Sequence, residues 1–557
     1  MNETLQLPLA CFEHWLSRQP DKVWLRQPVA GVWHDFTWRQ VDQQARRLAS
    51  ALLALGCAPG DRVAILAKNC AEWFITDLGI QIAGLVSVPL YPMQSTESIA
   101  YVLEHAQCRV IIVGKLDDPE RMAEGIGEHI TRIAMPYPTM AAPHDWHSLL
   151  ADHPPLVDGA VQHADQLLSI LYTSGTTGAP KGVMLSAGAM AYSSSRVTVE
   201  LGMGPEDRFF SYLPLSHTAE RFLVQFNSLY SGGTVAFAES LDSFADDLRR
   251  TRPTVFFSVP RLWTRFQQGV LEKLPAHKLD RLLGIPLVGR LVARRIRQQL
   301  GLDQARVMVS GAAAISPGLL AWYQRLGMTL CEGYGMTEHF AYGCFNRPGQ
   351  VRFGTVGRPL PGLEVRIADD GEILLRSPTL MQGYYFDLEK SSEALRDGWL
   401  HTGDQGELDA DGYLRITGRI KDIFKTSKGK YVAPAHIEGE IAKCSWVEQV
   451  CLMGSNLDQP VALIELSPLA SQQPRAQLVA ELHASLAQLN GQLAAHERIS
   501  HYLLVSDSWN VDNGCMTPTM KIRRNVLEAR YAALLSQLPT GTPIIWQDDL
   551  EPAGTAI

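Results

Sequence analysis

The segment LYTSGTTGAPKGVMLS, Leu171 to Ser186, gathers glycines at 175, 178 and 182, hydroxyls at Thr173, Ser174, Thr176 and Thr177, and one lysine, Lys181. That composition suits an anion. Glycines let backbone N–H groups approach closely, hydroxyls donate hydrogen bonds and the ammonium adds a point charge, so phosphate is the first candidate. The Walker pattern G-x-x-x-x-G-K-[ST] does not fit. The plain alternative is a flexible turn between the strand LLSILY and a following helix.

Such a loop needs a scaffold, and the flanking sequence describes one. WRQVDQQARRLASALLALG, Trp38 to Gly56, has apolar residues at helical spacing and stops at glycine. DRVAILA, VPLYP and CRVIIVG read as short strands, the last two with a helix between them. After the loop, RFFSYLP, GTVAFA, PTVFFSVP and ARVMVSG continue as buried strands separated by helices. This alternation predicts an α/β fold with a mainly parallel sheet. From Gly354 the strands shorten and alternate around turns such as Asp369-Asp370-Gly371, predicting a smaller antiparallel sheet or β-barrel-like subdomain over about 354–420. Near Arg419 lysines crowd the segment GRIKDIFKTSKGKYVAP, and a compact α+β unit follows. The domain boundary is placed between Ile420 and Lys421, giving a large domain over 1–420 and a small one over 421–557.

A chain of 557 residues exceeds one ordinary core. Its formal net charge of -8 gives no general attraction to nucleic acid or anionic lipid, so any basic site must be local. Nine dispersed cysteines without a C-x-x-C pair read as reduced thiols in a cytoplasm-like compartment. The start, MNETLQLPLACFEHW, lacks the basic and apolar regions of a signal peptide. WFITDLGIQIAGLVSVPLYP is interrupted by Asp77 and Gln81 and reads as a buried helix running into a strand, not a membrane span.

The string YTSGTTGAPKG resembles the hallmark of the adenylate-forming superfamily of acyl-CoA synthetases, peptide-synthetase adenylation domains and firefly luciferases. YLPLSHTAERF, VPRLWTRF, SGAAAIS, EGYGMTE, HTGDQGELDADGYLRITGRIKDIFK, GKYVAP and TPTMKIRR follow in family order, and the first six resemble the long- and medium-chain fatty acyl-CoA synthetase branch. The resemblance implies a large N-terminal domain and a small mobile C-terminal one. It implies ATP, Mg²⁺ and CoA as cofactors, and a fatty acid converted first to an acyl-adenylate and then to a thioester.

By the same resemblance, the loop of Thr173, Ser174, Gly175, Thr176, Thr177, Gly178 and Lys181 holds the β- and γ-phosphates. Gly333, Tyr334 and Gly335 form the adenine strand, with Tyr334 stacked on the base; Thr337 contacts the α-phosphate and Glu338 holds the metal. Asp404 binds the ribose and Arg419 covers it. Lys521 is the catalytic lysine, Lys421 the hinge and Gly429 the glycine that lets pantetheine pass. His217, Ala312, Ala313 and Gly333 belong to the acyl pocket. Each has a simpler reading as well: a surface glutamate, a turn aspartate, a solvated lysine beside Arg523 and Arg524, a structural histidine.

Three positions depart from the pattern. The usual Pro-x-Glu-Ile-Glu reads Pro434-Ala435-His436-Ile437-Glu438, the usual Ser-Gly-Lys-Ile reads Thr519-Met520-Lys521-Ile522, and Lys428 stands beside Gly429. PLVGRLVARRIRQQL, Pro286 to Leu300, projects as an amphipathic helix with Arg290, Arg294 and Arg297 on one face and Leu287, Leu291 and Leu300 roughly opposite. It could rest on a membrane or be a surface helix with a solvated basic face. Two rival functions stay open: an acyl-AMP ligase loading a carrier-protein thiol or an amine in trans, and a nucleotide-binding protein without catalysis. Chain length of the acid and oligomeric state are not legible.

Overall fold

The computed structural model describes residues 5–173, 180–468, 470, 473–517, 521–539 and 541–550. The chain divides into two compact units. One comprises residues up to Thr173, Pro180–Val365 and Leu375–Leu400; the other comprises Arg366–Leu374 and the chain from His401. The fold is mixed α/β with a large N-terminal and a smaller C-terminal part, as the alternating sequence predicts.

In the larger unit the described strands form three sheets. The largest runs in the order Gly383–Tyr384, Lys181–Ser186, Leu167–Thr173, Val86–Leu90, Arg62–Leu66, Val110–Val113, Thr131–Ala134 and His144–Asp145. From Leu167–Thr173 onward its neighbours are parallel, while the first two strands are antiparallel additions. Arg208–Ser211 and Thr234–Phe237 lie parallel in a second sheet; Val255–Ser258, Val307–Ser310 and Leu330–Tyr334 lie parallel in a third. The four strands expected after the loop therefore exist, shared between two sheets.

The helices begin where local chemistry starts them. Trp38–Ala54 opens on a capping box: the Gln40 N–H donates to Thr37 Oγ1 at 3.3 Å, and the Thr37 N–H donates to Gln40 Oε1 at 2.8 Å. Its inward stripe is Val41, Ala45, Leu48 and Leu52, all fully buried. Ala71–Ile82, the helix of the long apolar segment, is buried on every side and leads into Val86–Leu90. No helix among the described residues is long and apolar enough to cross a membrane.

Asp77, which interrupts that apolar run, meets Arg221 in the interior. Arg221 Nη2 lies 3.0 and 3.1 Å from the two Asp77 oxygens, and Gln81 and Gln225 also donate to Asp77. The guanidinium stands 5.2 Å from the Trp73 ring centre. A charge with no access to water persists only when paired and hydrogen-bonded in this way. Arg221 opens a π-helical turn, Arg221–Phe226, directly after the segment that carries His217.

The smaller unit holds a four-stranded sheet, Val447–Met453, Val461–Leu466, His501–Val505 and Ile544–Trp546, covered by the helices Pro434–Ile441, Arg475–Asn490 and Arg524–Leu535. Helix Pro434–Ile441 is tied down by Glu438, which accepts from the Leu452 N–H at 2.6 Å and from Arg524 at 2.7 Å. Where a barrel-like subdomain was expected, strand Trp399–Leu408 pairs antiparallel with Leu395–Arg396 near one end and Leu414–Arg419 near the other.

All nine cysteines are free; eight are buried and Cys444 is half-buried. Burial raises every thiol pKa, to about 12 at Cys11, Cys108, Cys331 and Cys344. Burial likewise pushes Glu332 up to about 8, although a hydrogen bond from the Ile315 backbone opposes it.

Two outcomes follow. Asp77→Ala leaves Arg221 buried and unpaired and should cost about 3–5 kcal/mol in urea unfolding. Asp77→Leu combined with Arg221→Met should recover most of that loss, and a double variant no better than the single would contradict the account. Glu332 keeps its proton in the fold between its ordinary 4.5 and about 8, whereas the unfolded chain releases it, so its contribution is lost as pH rises through that window. The melting temperature of Glu332→Gln relative to wild type should therefore climb from pH 5 to pH 8; a constant difference would refute the raised value.

Candidate active site

The glycine-rich loop joins two antiparallel strands, not a strand and a helix: Thr173 and Lys181 are partners in the register of Leu167–Thr173 with Lys181–Ser186. The helix Ala187–Glu200 comes only after the second strand. Ser174, Gly175, Thr176, Thr177 and Gly178 lie outside the described residues. The two described ends are held together, the Thr173 hydroxyl donating to the Lys181 carbonyl at 3.5 Å.

Strand Gly383–Tyr384 borders Lys181–Ser186, pairing Tyr384 with Val183, and the Tyr385 N–H donates to the Gly182 carbonyl at 2.7 Å. This brings the Tyr384 ring to Lys181, whose Nζ is 4.7 Å from the ring centre. The same phenol donates to Glu338 Oε1 at 2.9 Å. Burial and the neighbouring Glu338 carboxylate push the Tyr384 pKa far up, so the hydroxyl stays a donor. The Glu338 carbonyl is fixed too, accepting from the Met381 N–H at 2.7 Å. Sequence reasoning named Lys181 and Glu338 but not Tyr384, which touches both; its only sequence signal was the run of three aromatics in GYYF.

Glu338 and Thr337 sit in a short turn, Thr337–His339, within the hairpin that links Leu330–Tyr334 to Cys344–Phe345. Burial lowers the His339 pKa to about 4, leaving a neutral ring whose Nε2 accepts from the Met336 N–H at 3.2 Å. Phe340 and Ala341 both adopt left-handed backbone, with φ of 48° and 56°. Conformations of that kind persist where surroundings enforce them. Here Phe340 is clasped by Phe222 and Phe226, with ring centres 5.6 and 5.5 Å away. A Cβ on Gly343 would fall 1.8 Å from the Tyr334 carbonyl oxygen, so only glycine lets the hairpin close on Tyr334.

Glu332, two residues before Tyr334 on the same strand face, is paired in register with Ser310 at the start of SGAAAIS. Glu332 Oε2 and Ser310 Oγ are buried and lack hydrogen-bond partners among the described atoms. Beyond Ser310 the chain exposes Ala312, at φ 67°, and Ala313. His217 caps the turn Thr218–Glu220, its Nδ1 accepting from the Ala219 N–H at 3.2 Å. The structural role considered for it is therefore real. Glu220, missed in sequence, accepts from the Ser211 hydroxyl at 2.8 Å and the Tyr212 N–H at 3.1 Å, and burial pushes it up to about 8.

In the smaller unit Asp404 and Arg419 face each other across paired strands, with Arg419 Nε 2.9 Å from Asp404 Oδ1. Asp404 is buried and Arg419 exposed. The turn before Asp404 is fastened by Glu372, which accepts from the Gly403 N–H at 2.8 Å and lies 2.7 Å from His401 Nδ1. Lys421 is exposed in the turn Ile420–Asp422, and Gly429 is exposed with φ 76°. His436, where an acid is usual, faces solvent, while Glu438 keeps its anchoring bonds. Exposed Lys521 is bracketed by Thr517: its N–H donates to Thr517 Oγ1 at 3.1 Å, and its carbonyl accepts from the Thr517 N–H at 2.8 Å. Thr519 and Met520 lie outside the described residues.

Known proteins share this architecture. The AMP-binding enzyme family matches residues 12–385, and the AMP-binding enzyme C-terminal domain matches 421–540. The long-chain-fatty-acid–CoA ligase FadD15 of Mycobacterium tuberculosis is 29% identical over 94% of this chain and 95% of its own length. The peroxisomal long chain acyl-CoA synthetase 7 of Arabidopsis thaliana is 30% identical over 91% and 82%. Among solved structures, the anthranilate CoA ligase AuaEII in complex with anthranoyl-AMP superposes with a TM-score of 0.80 at 26% identity, covering 96% of this chain and 99% of that one. The o-succinylbenzoate CoA synthetase of Bacillus subtilis, at 22% identity, shares the fold with a TM-score of 0.74 over 93% and 97%. With a family match spanning more than half its length, the chain belongs to the AMP-binding enzymes.

Proposed function

We propose that this protein is a fatty acid–CoA ligase working through an acyl-adenylate. The observation that carries the reading is the meeting of Lys181 and Glu338 on Tyr384, beside the two ends of the hydroxyl-rich loop. The activity named for its relatives, long-chain acyl-CoA synthesis, selects the acid and the thiol.

A free carboxylate is a poor electrophile, and adenylation converts it to a mixed anhydride. A carboxylate oxygen attacks the α-phosphorus of ATP, the bond to the bridging oxygen breaks and pyrophosphate leaves. Charge grows on phosphate oxygens, where fixed donors and cations lower the barrier. In this reading Lys181 and its loop hold the β- and γ-phosphates, Thr337 contacts the α-phosphate, and Tyr334 with Gly333 and Gly335 receives adenine. Asp404 accepts from the ribose hydroxyls beside Arg419. Lys521 bridges the two anions that must approach. Glu338 is a hard oxygen donor of the kind that holds Mg²⁺ together with substrate phosphates, and the ion would neutralise phosphate charge.

The thiol sulfur of CoA then attacks the acyl carbonyl carbon, the bond to the AMP oxygen breaks and AMP departs. Two geometries on one site call for a conformational step. Domains 1–420 and 421–557, pivoting at Lys421, provide it. Exposed Gly429, without a Cβ, offers pantetheine a close backbone passage. His217, Ala312, Ala313 and Gly333 form the acyl end.

Pyrophosphate exchange into ATP should depend on a medium- or long-chain acid, and acyl transfer should prefer free CoA over a holo-carrier protein. Absence of exchange with every lipidic acid would overturn the proposal, and preference for the carrier would replace its second half. Lys521→Ala should slow adenylation by at least about a hundredfold, the scale for losing one transition-state donor. Thioester formation from supplied acyl-AMP should survive; equal loss in both half-reactions would contradict the role.

A further inference from the structure

The helix Pro286–Gln299 turns Gly289, Ala293 and Ile296 into the core. On the opposite side Leu287 and Leu291 are 75% and 68% exposed, and Ile285 and Val288 are exposed next to them. This corrects the sequence projection, which set the leucines against the arginines. At the helical turn of about 100° per residue, Leu287, Leu291 and Arg294 share an arc of about 60°, with Arg290 on one flank and Arg295 on the other. All three arginines are exposed, and none forms an ion pair among the described residues.

The charge around this face is the reverse of the chain's. From Lys273 to Gln299 seven Lys and Arg stand against one acid, Asp280, whereas the whole chain carries -8. Asp280 is taken by Arg325 at 2.6 Å, and Lys278 and Arg281 on the preceding helix, Ala276–Leu283, are exposed.

We propose that this face docks on an anionic lipid bilayer. Four aliphatic side chains enter the acyl boundary while flanking guanidiniums stay at the headgroups, the arrangement that suits an interfacial helix. A second copy presenting the same face, as in a two-fold dimer, would bring the same positive charge. An anionic surface complements it and repels the acidic remainder, so the protein would bind in one orientation. The benefit, collecting an acid that partitions into lipid, rests on the ligase reading; the binding itself does not.

The test is co-sedimentation with vesicles, without nucleotide or fatty acid, so that it stands or falls independently of the ligase activity. The wild type should bind phosphatidylcholine–phosphatidylglycerol vesicles, weaken as salt rises, and ignore phosphatidylcholine alone. Leu287→Ser with Leu291→Ser should lower binding at least about tenfold, from the apolar area lost. Arg290→Gln, Arg294→Gln and Arg295→Gln should each cost about fivefold. All variants should melt with the wild type, since the replaced side chains are exposed. Equal binding to both vesicles, variants that bind like wild type, or a dimer that the leucine changes split without lipid would each overturn the proposal.

Discussion

A single phenol, Tyr384, touches both Lys181, at the end of the glycine-rich segment, and the Glu338 carboxylate, and the geometry of the candidate site depends on that double contact. Lys181 is a flexible ammonium on a long stem, and Glu338 sits in a strained turn. A rigid ring placed by strand pairing gives both a fixed reference. The strand that supplies it is only two residues long, added antiparallel to the edge of a sheet whose interior is parallel. Precision at the site is thus bought at a sheet edge, by backbone hydrogen bonds to Gly182 and Met184.

The interior shows the same reliance on pairing polar groups where water is excluded. Asp77 and Arg221 join the buried helix Ala71–Ile82 to the π-helical turn after His217. Next to the site, His339 is kept neutral and can accept a backbone hydrogen bond, and the left-handed pair Phe340–Ala341 is enforced by two phenylalanines. Strain near Glu338 is therefore offset by hydrophobic packing from the π-helical turn that follows His217.

Much of the scaffold was legible because its signals are local. The capping box at Thr37, the helical stripe through Leu48 and the short apolar runs each declare an element within a few residues. The loop was legible from residue type and spacing, and Glu338 from the family resemblance. Tyr384, Glu372 and Glu438 were not, because each acts on a partner tens to hundreds of residues away through a contact that exists only after folding. The projection of Pro286–Gln299 failed for a different reason, since at about 100° per residue the sequence itself sets Leu287 and Leu291 beside Arg294. The inward face is instead formed by Gly289, Ala293 and Ile296, and a Cβ on Gly289 would meet the Leu283 carbonyl at 2.7 Å.

The sheltered thiols take on a meaning once an acyl-adenylate is the intermediate. A mixed anhydride acylates any competent sulfur nucleophile, and only the thiolate form attacks quickly. With every cysteine at least half-buried and its thiol pKa raised by burial, the chain presents no ready thiolate to rival the incoming acceptor. Concealment thus keeps cysteine in the sequence while holding each thiol in its unreactive, protonated form.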